Sequence, residues 1–397
     1  MHGLSMDLDA VLQRAVDVGA SDVHFKVGQP PILRVDGLLA PVEGEAPLGD
    51  AEVEAVLDQV SAHVPRRREA FDETGELDLA YARPGLPRFR VNGFRQRGAI
   101  SFAFRAIPDE IPGFADLHLP AGVARLADEQ RGLVLVTGAT GSGKTTTLAA
   151  MLDHINRTRR QHIVTIEDPI EVLHEDRSCI VNQREVGLDT ESFDQALRRV
   201  LRQDPDVILI GELRDGETAA VALQAAESGH LVFSTLHTLD AAETVGRIVE
   251  FFPPEKQPQV ISILAGVLRG VISQRLLPRA GGGRIPAVEV MVTNARIAEL
   301  IRERRTDEIT DAIAEGEFFQ MQNFSQALID LVLNGLVERE VALNAASNAH
   351  DFEIALQRAE KVAVIRAANA EKEAAQAVES VEPPRDDGMP ALRVAGS

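Results

Sequence analysis

The residues best placed to do chemistry lie in Gly138-Ala-Thr-Gly-Ser-Gly-Lys-Thr145, which reads G-x-x-x-x-G-K-T. Glycines at those intervals let a backbone close around a phosphate chain with its N–H groups turned inward. A helix starting directly behind adds partial positive charge. In such a loop Lys144 reaches the β and γ phosphates and the Thr145 hydroxyl ligates Mg²⁺. The candidate phosphate-binding residues are Gly138, Ala139, Thr140, Gly141, Ser142, Gly143, Lys144, Thr145 and Thr146. The alternative is a glycine-rich turn that binds nothing. The flanks disfavour it: Gly132–Thr137 is a short β-branched apolar run, and Lys144–Asn156 has helix-forming composition without Gly or Pro.

Splitting a nucleotide also needs a metal ligand, a group that orients water and positive charge for the transition state. Val207-Ile-Leu-Ile-Gly-Glu212 is an apolar strand ending in an acid, the position for a Walker B carboxylate. Gly211 stands where an Asp is usual, which leaves Glu212 as the sole acid, acting on Mg²⁺ through water. The plainer reading is a buried strand with a solvent-facing terminal Glu. Thr165-Ile-Glu-Asp-Pro-Ile-Glu171 also follows a strand. Its carboxylates suit a solvated turn or, at the carboxyl edge of a sheet that carries a phosphate loop, a water-orienting role. His230 and His237 bracket another strand. They lack the Cys or carboxylate partners of a zinc site; they read as core histidines or as contacts to the γ-phosphate and its neighbours. Arg88, Arg90, Arg95, Arg97 and Arg105 lie in or beside strands. A solvated strand face and a set of arginine fingers both fit, and spacing alone does not choose.

Elements must hold these groups. Residues 7–18 place Leu8, Val11, Leu12, Ala15 and Val16 on one face of a first helix, stopped by Gly19. Strands are expected at Asp22–Val27, Ile32–Val35, Leu77–Tyr81, Arg88–Phe94 and Ile100–Arg105, with a hairpin at Asp36-Gly37 and a helix over 50–60. Pro108, Pro112 and Pro120 punctuate a linker. Beyond Ala121, short apolar runs at Leu133–Thr137, Ile163–Ile166, Val207–Ile210 and Leu231–Ser234 alternate with helical segments at Lys144–Asn156, Phe193–Arg202 and Glu217–Ser228. That alternation predicts an α/β fold, a mostly parallel sheet with helices on both faces. From Ala241 the pattern turns largely helical: Val260–Leu277 is one long amphipathic segment, Ile285–Val292 a strand, and short helices follow at Ala295–Arg304, Asp307–Glu315, Phe324–Leu333 and Val341–Ser347. The end is an Ala- and Glu-rich stretch and a tail expected to be disordered.

Composition bounds the class. A formal charge of −20 gives no general nucleic-acid footprint, so no nucleic-acid partner is expected. The single cysteine, Cys179, excludes a disulfide framework and a Cys-based zinc site and fits a reducing cytoplasm. The first residues do not read as a signal peptide, and no uncharged apolar run approaches the ~18 residues of a membrane span.

Taken together, Gly-Ala-Ser-Asp-Val-His24, Arg34-Val-Asp-Gly37, Arg88-Phe-Arg-Val-Asn92, Gly138–Thr147, Ile166–Glu171, Val181-Asn-Gln-Arg-Glu185, Asp204–Asp215 and Ala226–Thr238 resemble the type II/IV secretion ATPases, and among them the type IV pilus retraction ATPases. The resemblance runs collinearly over residues 5–345. It implies a PAS-like α+β N-terminal domain over 1–115, a RecA-like ATPase core over 116–280, a mostly helical C-terminal part over 281–352 and a helix with a disordered tail over 353–397. It implies ATP and Mg²⁺ as cofactors. Glu171 becomes the general base, Glu212 the Walker B acid and, with Thr145, the metal residue. His230 and His237 form a His box, and Arg90 and Arg105 are the favoured fingers ahead of Arg88 and Arg97. It also implies a homo-hexameric motor at the cytoplasmic face of the inner membrane, working a platform protein to draw pilin back. Extension ATPases of the same superfamily usually carry an extra N-terminal domain and a four-cysteine zinc site, which this sequence lacks. The family's C-terminal signature, approximately A-I-R-N-L-I-R-E, reads here Ala295-Arg-Ile-Ala-Glu-Leu-Ile-Arg-Glu303. That altered middle and the added tail motivate the alternative, an accessory ATP-binding paralogue that assists a main motor.

Overall fold

The computed structural model describes residues 6–35, 37–107 and 110–379. Asp36 of the expected hairpin, Pro108 and the tail from residue 380 lie outside them. The chain forms two compact units, one of residues up to Leu277 together with Arg284–Phe324, the other of Pro278–Gly283 with the residues from Ser325 on.

The first unit begins with α1 (Leu8–Asp17), β1 (Asp22–Lys26), β2 (Ile32–Val35), β3 (Leu38–Pro41), α2 (Asp50–Ser61), α3 (Pro65–Thr74), β4 (Glu76–Tyr81), β5 (Phe89–Gln96) and β6 (Ala99–Ala106). The strands form an antiparallel sheet in the order β3-β2-β1-β6-β5-β4. Alternation decides its faces. Val23, Phe25, Phe89, Val91, Phe102 and Phe104 point into a core closed by Leu8, Leu12, Val53, Leu57 and Phe71 of the three helices. Phe104 anchors it, edge-on to Phe25 at 5.1 Å between ring centroids. The residues between them in sequence, among them Asp22, Arg90 and Arg105, fall on the other face. Helix α3, which sequence patterning does not single out, starts with Pro65 at its first turn and ends at Gly75 in the left-handed region.

The same unit continues with α4 (Ala121–Ala127), β7 (Gly132–Thr137), α5 (Lys144–Thr158), β8 (His162–Glu167), β9 (Ile180–Glu185), α6 (Phe193–Val200), β10 (Val207–Ile210), α7 (Gly216–Glu227), β11 (Leu231–Leu236), α8 (Ala241–Glu250), α9 (Gln257–Val267), β12 (Leu268–Pro278), β13 (Arg284–Val292), α10 (Ala295–Arg302) and α11 (Ile309–Ala314). The sheet order is β13-β12-β7-β11-β10-β8-β9, and the strands from β12 to β9 run parallel. β7, β10 and β11 are buried on both faces, as continuous apolar strands must be when helices cover both sides.

Two departures from the sequence reading matter for the site. Val260–Leu277 is not one helical segment: α9 stops at Val267 and Leu268–Pro278 is a strand beside β7. A buried apolar run fits either state. Here the open flank of β7 takes it, with Gly270 set close against the Met291 carbonyl and the Leu126 side chain. Consequently the boundary expected at residue 280 falls in the turn between β12 and β13, and β13 belongs to the seven-stranded sheet. The second departure is β9, whose burial alternates weakly along an edge and leaves Ile180 exposed, so it carries little pattern.

In the second unit α12 (Phe324–Leu333), α13 (Arg339–Ala345) and α14 (Ala349–Glu379) follow short turns. Arg339 pairs with Glu360 at 3.2 Å and Glu353 at 3.5 Å across α13 and α14, beside the buried Phe352 and Leu356.

Candidate active site

The phosphate loop fills the turn from β7 to α5. Gly138 has φ +139°, and a Cβ there would run into the Gln274 carbonyl and the Ser142 side chain. Only glycine fits. Gly143 precedes α5 with φ +93° and supplies no side-chain cap, so the first N–H groups of α5 have no side-chain acceptor at this position. Ala139, Thr140, Gly141, Thr145 and Thr146 are exposed, while the hydroxyl of Ser142 is buried without a hydrogen-bond partner. Such a surface offers N–H groups to an anion. Lys144 lies across its own loop, donating to the carbonyls of Gly138 at 2.7 Å and Ala139 at 3.0 Å. Burial pulls its ammonium below the usual lysine range, with Glu212 and then Glu171 partly opposing.

Each carboxylate has its own support. β10 is followed by Gly211, whose N–H donates to the Ile166 carbonyl at 2.9 Å and whose carbonyl accepts from Thr235 Oγ1 at 2.7 Å. A Cβ at 211 would stand 3.2 Å from the Ile166 carbonyl, a tight contact where an Asp is usual. Glu212 then projects beyond the strand and is held by Arg214 at 3.1 Å and by His237 Nε2 at 3.2 Å. Glu171 lies on the β8–β9 connection, and its Oε1 accepts from Arg90 of β5 at 2.9 Å. The six-stranded sheet thus reaches this edge. Arg88 of that sheet contacts Glu185 at 2.7 Å, and Arg67 of α3 bonds the Val186 carbonyl at 2.6 Å and Asp168 at 3.5 Å.

The structure does not gather every candidate. β11 runs parallel to β7, with Leu231 opposite Gly132 and Leu236 opposite Thr137. His237 is therefore at the loop's edge of the sheet, while His230 is at the other edge, roughly 20 Å away by strand rise. His230 bonds the Ala225 carbonyl at 2.9 Å and closes the α7–β11 turn. A phosphate contact from His230 within this chain is thereby corrected. Arg105 stands opposite Arg90 in register but bonds Asp22 at 2.9 Å and stays 72% exposed. Burial would raise Asp22, yet Ser21 and Arg105 hold its carboxyl below the usual range. Arg95 lies over the Phe71 ring, and Arg97 occupies the β5–β6 turn with φ 49°.

Five side chains that bear on this geometry are not distinguished by the sequence reading. Gln274 of β12 donates to Thr147 of α5 at 2.8 Å and Ser273 accepts from Thr137 at 2.9 Å, bracketing the loop. The polar pair Ser273-Gln274 inside an apolar run was the available signal. Gln183 and Glu185 appear in sequence only inside a motif, and Arg67 only in a basic run. Among the described residues no three His, Cys, Asp or Glu side chains converge as a metal cluster.

Comparison with known proteins bears on what this site serves. The family model for type II/IV secretion system proteins matches residues 116–316, about half the chain. The chain is 46% identical over 347 residues to the type IV pilus retraction ATPase PilT of Pseudomonas aeruginosa, covering 87% of this chain and 100% of that protein. It is 39% identical to the type IV pilus ATPase PilU of the same organism, over 89% of this chain and 92% of the relative. Its fold matches the crystal structure of the pilus retraction motor PilT with bound ADP, with a TM-score of 0.81 and 43% identity, covering 88% and 99% of the two chains. A family match across the core and high identity along nearly the whole of a retraction ATPase lead to one conclusion: this chain belongs to the type II/IV secretion ATPase family, in its type IV pilus retraction branch.

Proposed function

We propose that the chain is a motor that hydrolyses ATP to retract a type IV pilus, and that its hydrolysis is run by the groups gathered at the phosphate loop. The observation that carries this reading is the phosphate loop between β7 and α5, with Lys144 lying across it and Glu212, held by Arg214 and His237, following β10 at the same edge of the sheet. ATP would lie with its phosphates against the N–H groups of Gly138–Thr146 and the ammonium of Lys144. Thr145 and Glu212 would hold Mg²⁺: their oxygen donors suit a hard cation that takes one or two protein ligands and completes its shell with phosphate and water. When bound, that ion neutralises charge developing on the phosphates. Glu171 orients and deprotonates the attacking water. Its pairing with Arg90 points the carboxylate, and His237 orients Glu212. Arg105, exposed and lightly held by Asp22, is free to serve as a finger toward a neighbouring subunit in a homo-hexameric ring.

The N-terminal sheet, antiparallel with helices on one face, supports the PAS-like reading, and the parallel sheet with its loop after β7 supports the RecA-like one. Among the described residues no helix is long and apolar enough to cross a membrane. We place the ring at the inner face of the membrane, against a platform protein.

Steady-state ATPase rate, measured with the hexamer fraction in the same sample, tests the reading. Robust turnover by a hexamer, lost in Glu171→Gln, supports an autonomous motor. The similarity to PilU favours a second reading, an accessory ATPase. It predicts nucleotide binding with negligible turnover until a paralogous ATPase is added.

A further inference from the structure

Two side chains of β9 hold the segment that carries Glu171. Gln183 uses its whole amide: it donates to the Glu167 carboxylate at 3.2 Å and to the Val172 carbonyl at 2.8 Å, and it accepts from the His174 N–H at 2.8 Å. The Glu167 carboxylate also accepts from the Thr165 hydroxyl at 2.6 Å. Two residues along β9, and so on the same face, Glu185 accepts the N–H of Ile170 at 3.1 Å. The backbone is therefore fastened on both sides of Glu171, and its carboxylate is left to Arg90.

Glu185 has one further partner. Its side chain is 5% exposed and pairs with Arg88, 15% exposed, at 2.7 Å. Arg88 immediately precedes β5 of the six-stranded sheet; Glu185 ends β9 of the seven-stranded one. A pair so removed from water resists separation, because either charge alone would be buried without compensation. Movement of the N-terminal sheet against the core would therefore be carried by Arg88 to Glu185, and by Glu185 to the peptide next to Glu171.

We propose that Glu185 is a positioning residue which, gripped by Arg88, sets the Glu171 carboxylate according to how the N-terminal sheet sits on the core. The proposal rests on Glu171 being the general base. It assigns Arg88 to mechanical coupling within its own subunit and not to phosphate contact.

The test compares Arg88→Gln, Glu185→Gln, the double variant and Gln183→Met, with Glu171→Gln as reference, in the full-length hexamer. The readouts are kcat, KM for ATP and affinity for a fluorescent ADP analogue. A displaced base lowers kcat in each single variant roughly tenfold to a hundredfold, while KM and analogue affinity stay within about twofold. The double variant then loses no more than the worse single one. Losses that multiply in the double, or a raised KM at unchanged kcat, overturn the proposal. Gln183→Met alters no charge and keeps the test open where unpairing Arg88 unfolds the chain: kcat equal to that of the unsubstituted chain there overturns it. Turnover retained in Glu171→Gln refutes the base assignment and this inference together. An inactive Glu171→Gln beside multiplying losses refutes this inference alone.

Discussion

At β7 the site is built from neighbours in sequence: a strand, six loop residues and a helix, with conformation imposed by glycines and anion affinity supplied by backbone N–H groups. At the β8–β9 edge nothing is local. Glu171 is aimed by Arg90, eighty-one positions earlier, and the backbone on either side of it is held by Gln183 at Val172 and by Glu185 at Ile170, while Arg88, just before β5, grips Glu185. On the proposed roles, a backbone cradle would tolerate movement of the N-terminal sheet where a carboxylate aimed by cross-sheet ion pairs would not, and holding the nucleotide would be separate from permission to hydrolyse it.

Substitutions can break that contrast. The largest effect is expected at the edge: Glu171→Gln should lower kcat by about 10²–10⁴-fold and leave ADP-analogue affinity near normal, whereas Lys144→Ala should lose affinity as well. Titration and turnover on the same samples check this; equal affinity losses in both would erase the distinction.

Next is a buried carboxyl on the loop's side of the sheet. Glu289 of β13 accepts the Ala241 N–H at 2.9 Å where α8 begins. Burial, opposed by that bond, reinforced by Asp240 and opposed again by Arg275, pushes it from the ordinary 4.5 to about 7. The folded chain thus keeps a proton that the unfolded chain releases. Stability from this group is full below about pH 4.5, falls as pH rises and is gone above about 7. Relative to Glu289→Gln, the unsubstituted chain should lose about 3 kcal/mol across that window. His174 near the other carboxylate, drawn down from 6.5 to about 4 by burial, contributes in the opposite sense. Denaturation of both proteins at each pH therefore isolates Glu289; a constant difference would refute the assignment.

Gly138→Ala should cost about 1–3 kcal/mol, since the backbone there is closed to a side chain, and should weaken ADP-analogue binding more than it lowers kcat at saturation. The smallest effect is expected at Arg66, whose pair with Glu191 at 3.3 Å is 78% and 65% exposed. Arg66→Ala should change stability by under about 1 kcal/mol and leave turnover unaltered. A kcat loss there would mean that exposed pairs from α3 also aim the base.

Much of the first end was readable in order along the chain. The loop's glycines, the apolar strand before it, the helix after it and Glu212 at the end of β10 all follow from local sterics and period. The other end was not. β9 is a short edge strand without a clean alternation, so Gln183 and Glu185 had no element to belong to. β12 was hidden because an apolar run next to a helix looks like more helix until the flank of β7 takes it. His230 and His237 are equivalent in spacing, and only the parallel direction of β11 sends one to the edge that carries the loop and the other to the far edge. Arg90 and Arg105 are direct cross-strand neighbours, yet one meets Glu171 and the other Asp22.

Local chemistry thus specified the phosphate loop, its flanking elements and the class of reaction, because backbone sterics, glycine conformation and hydrophobic period act over a few residues. Which acid is aimed, by which arginine and through which strand was decided by the packing of two sheets, because a charge inside a protein is set by partners that meet it only after folding.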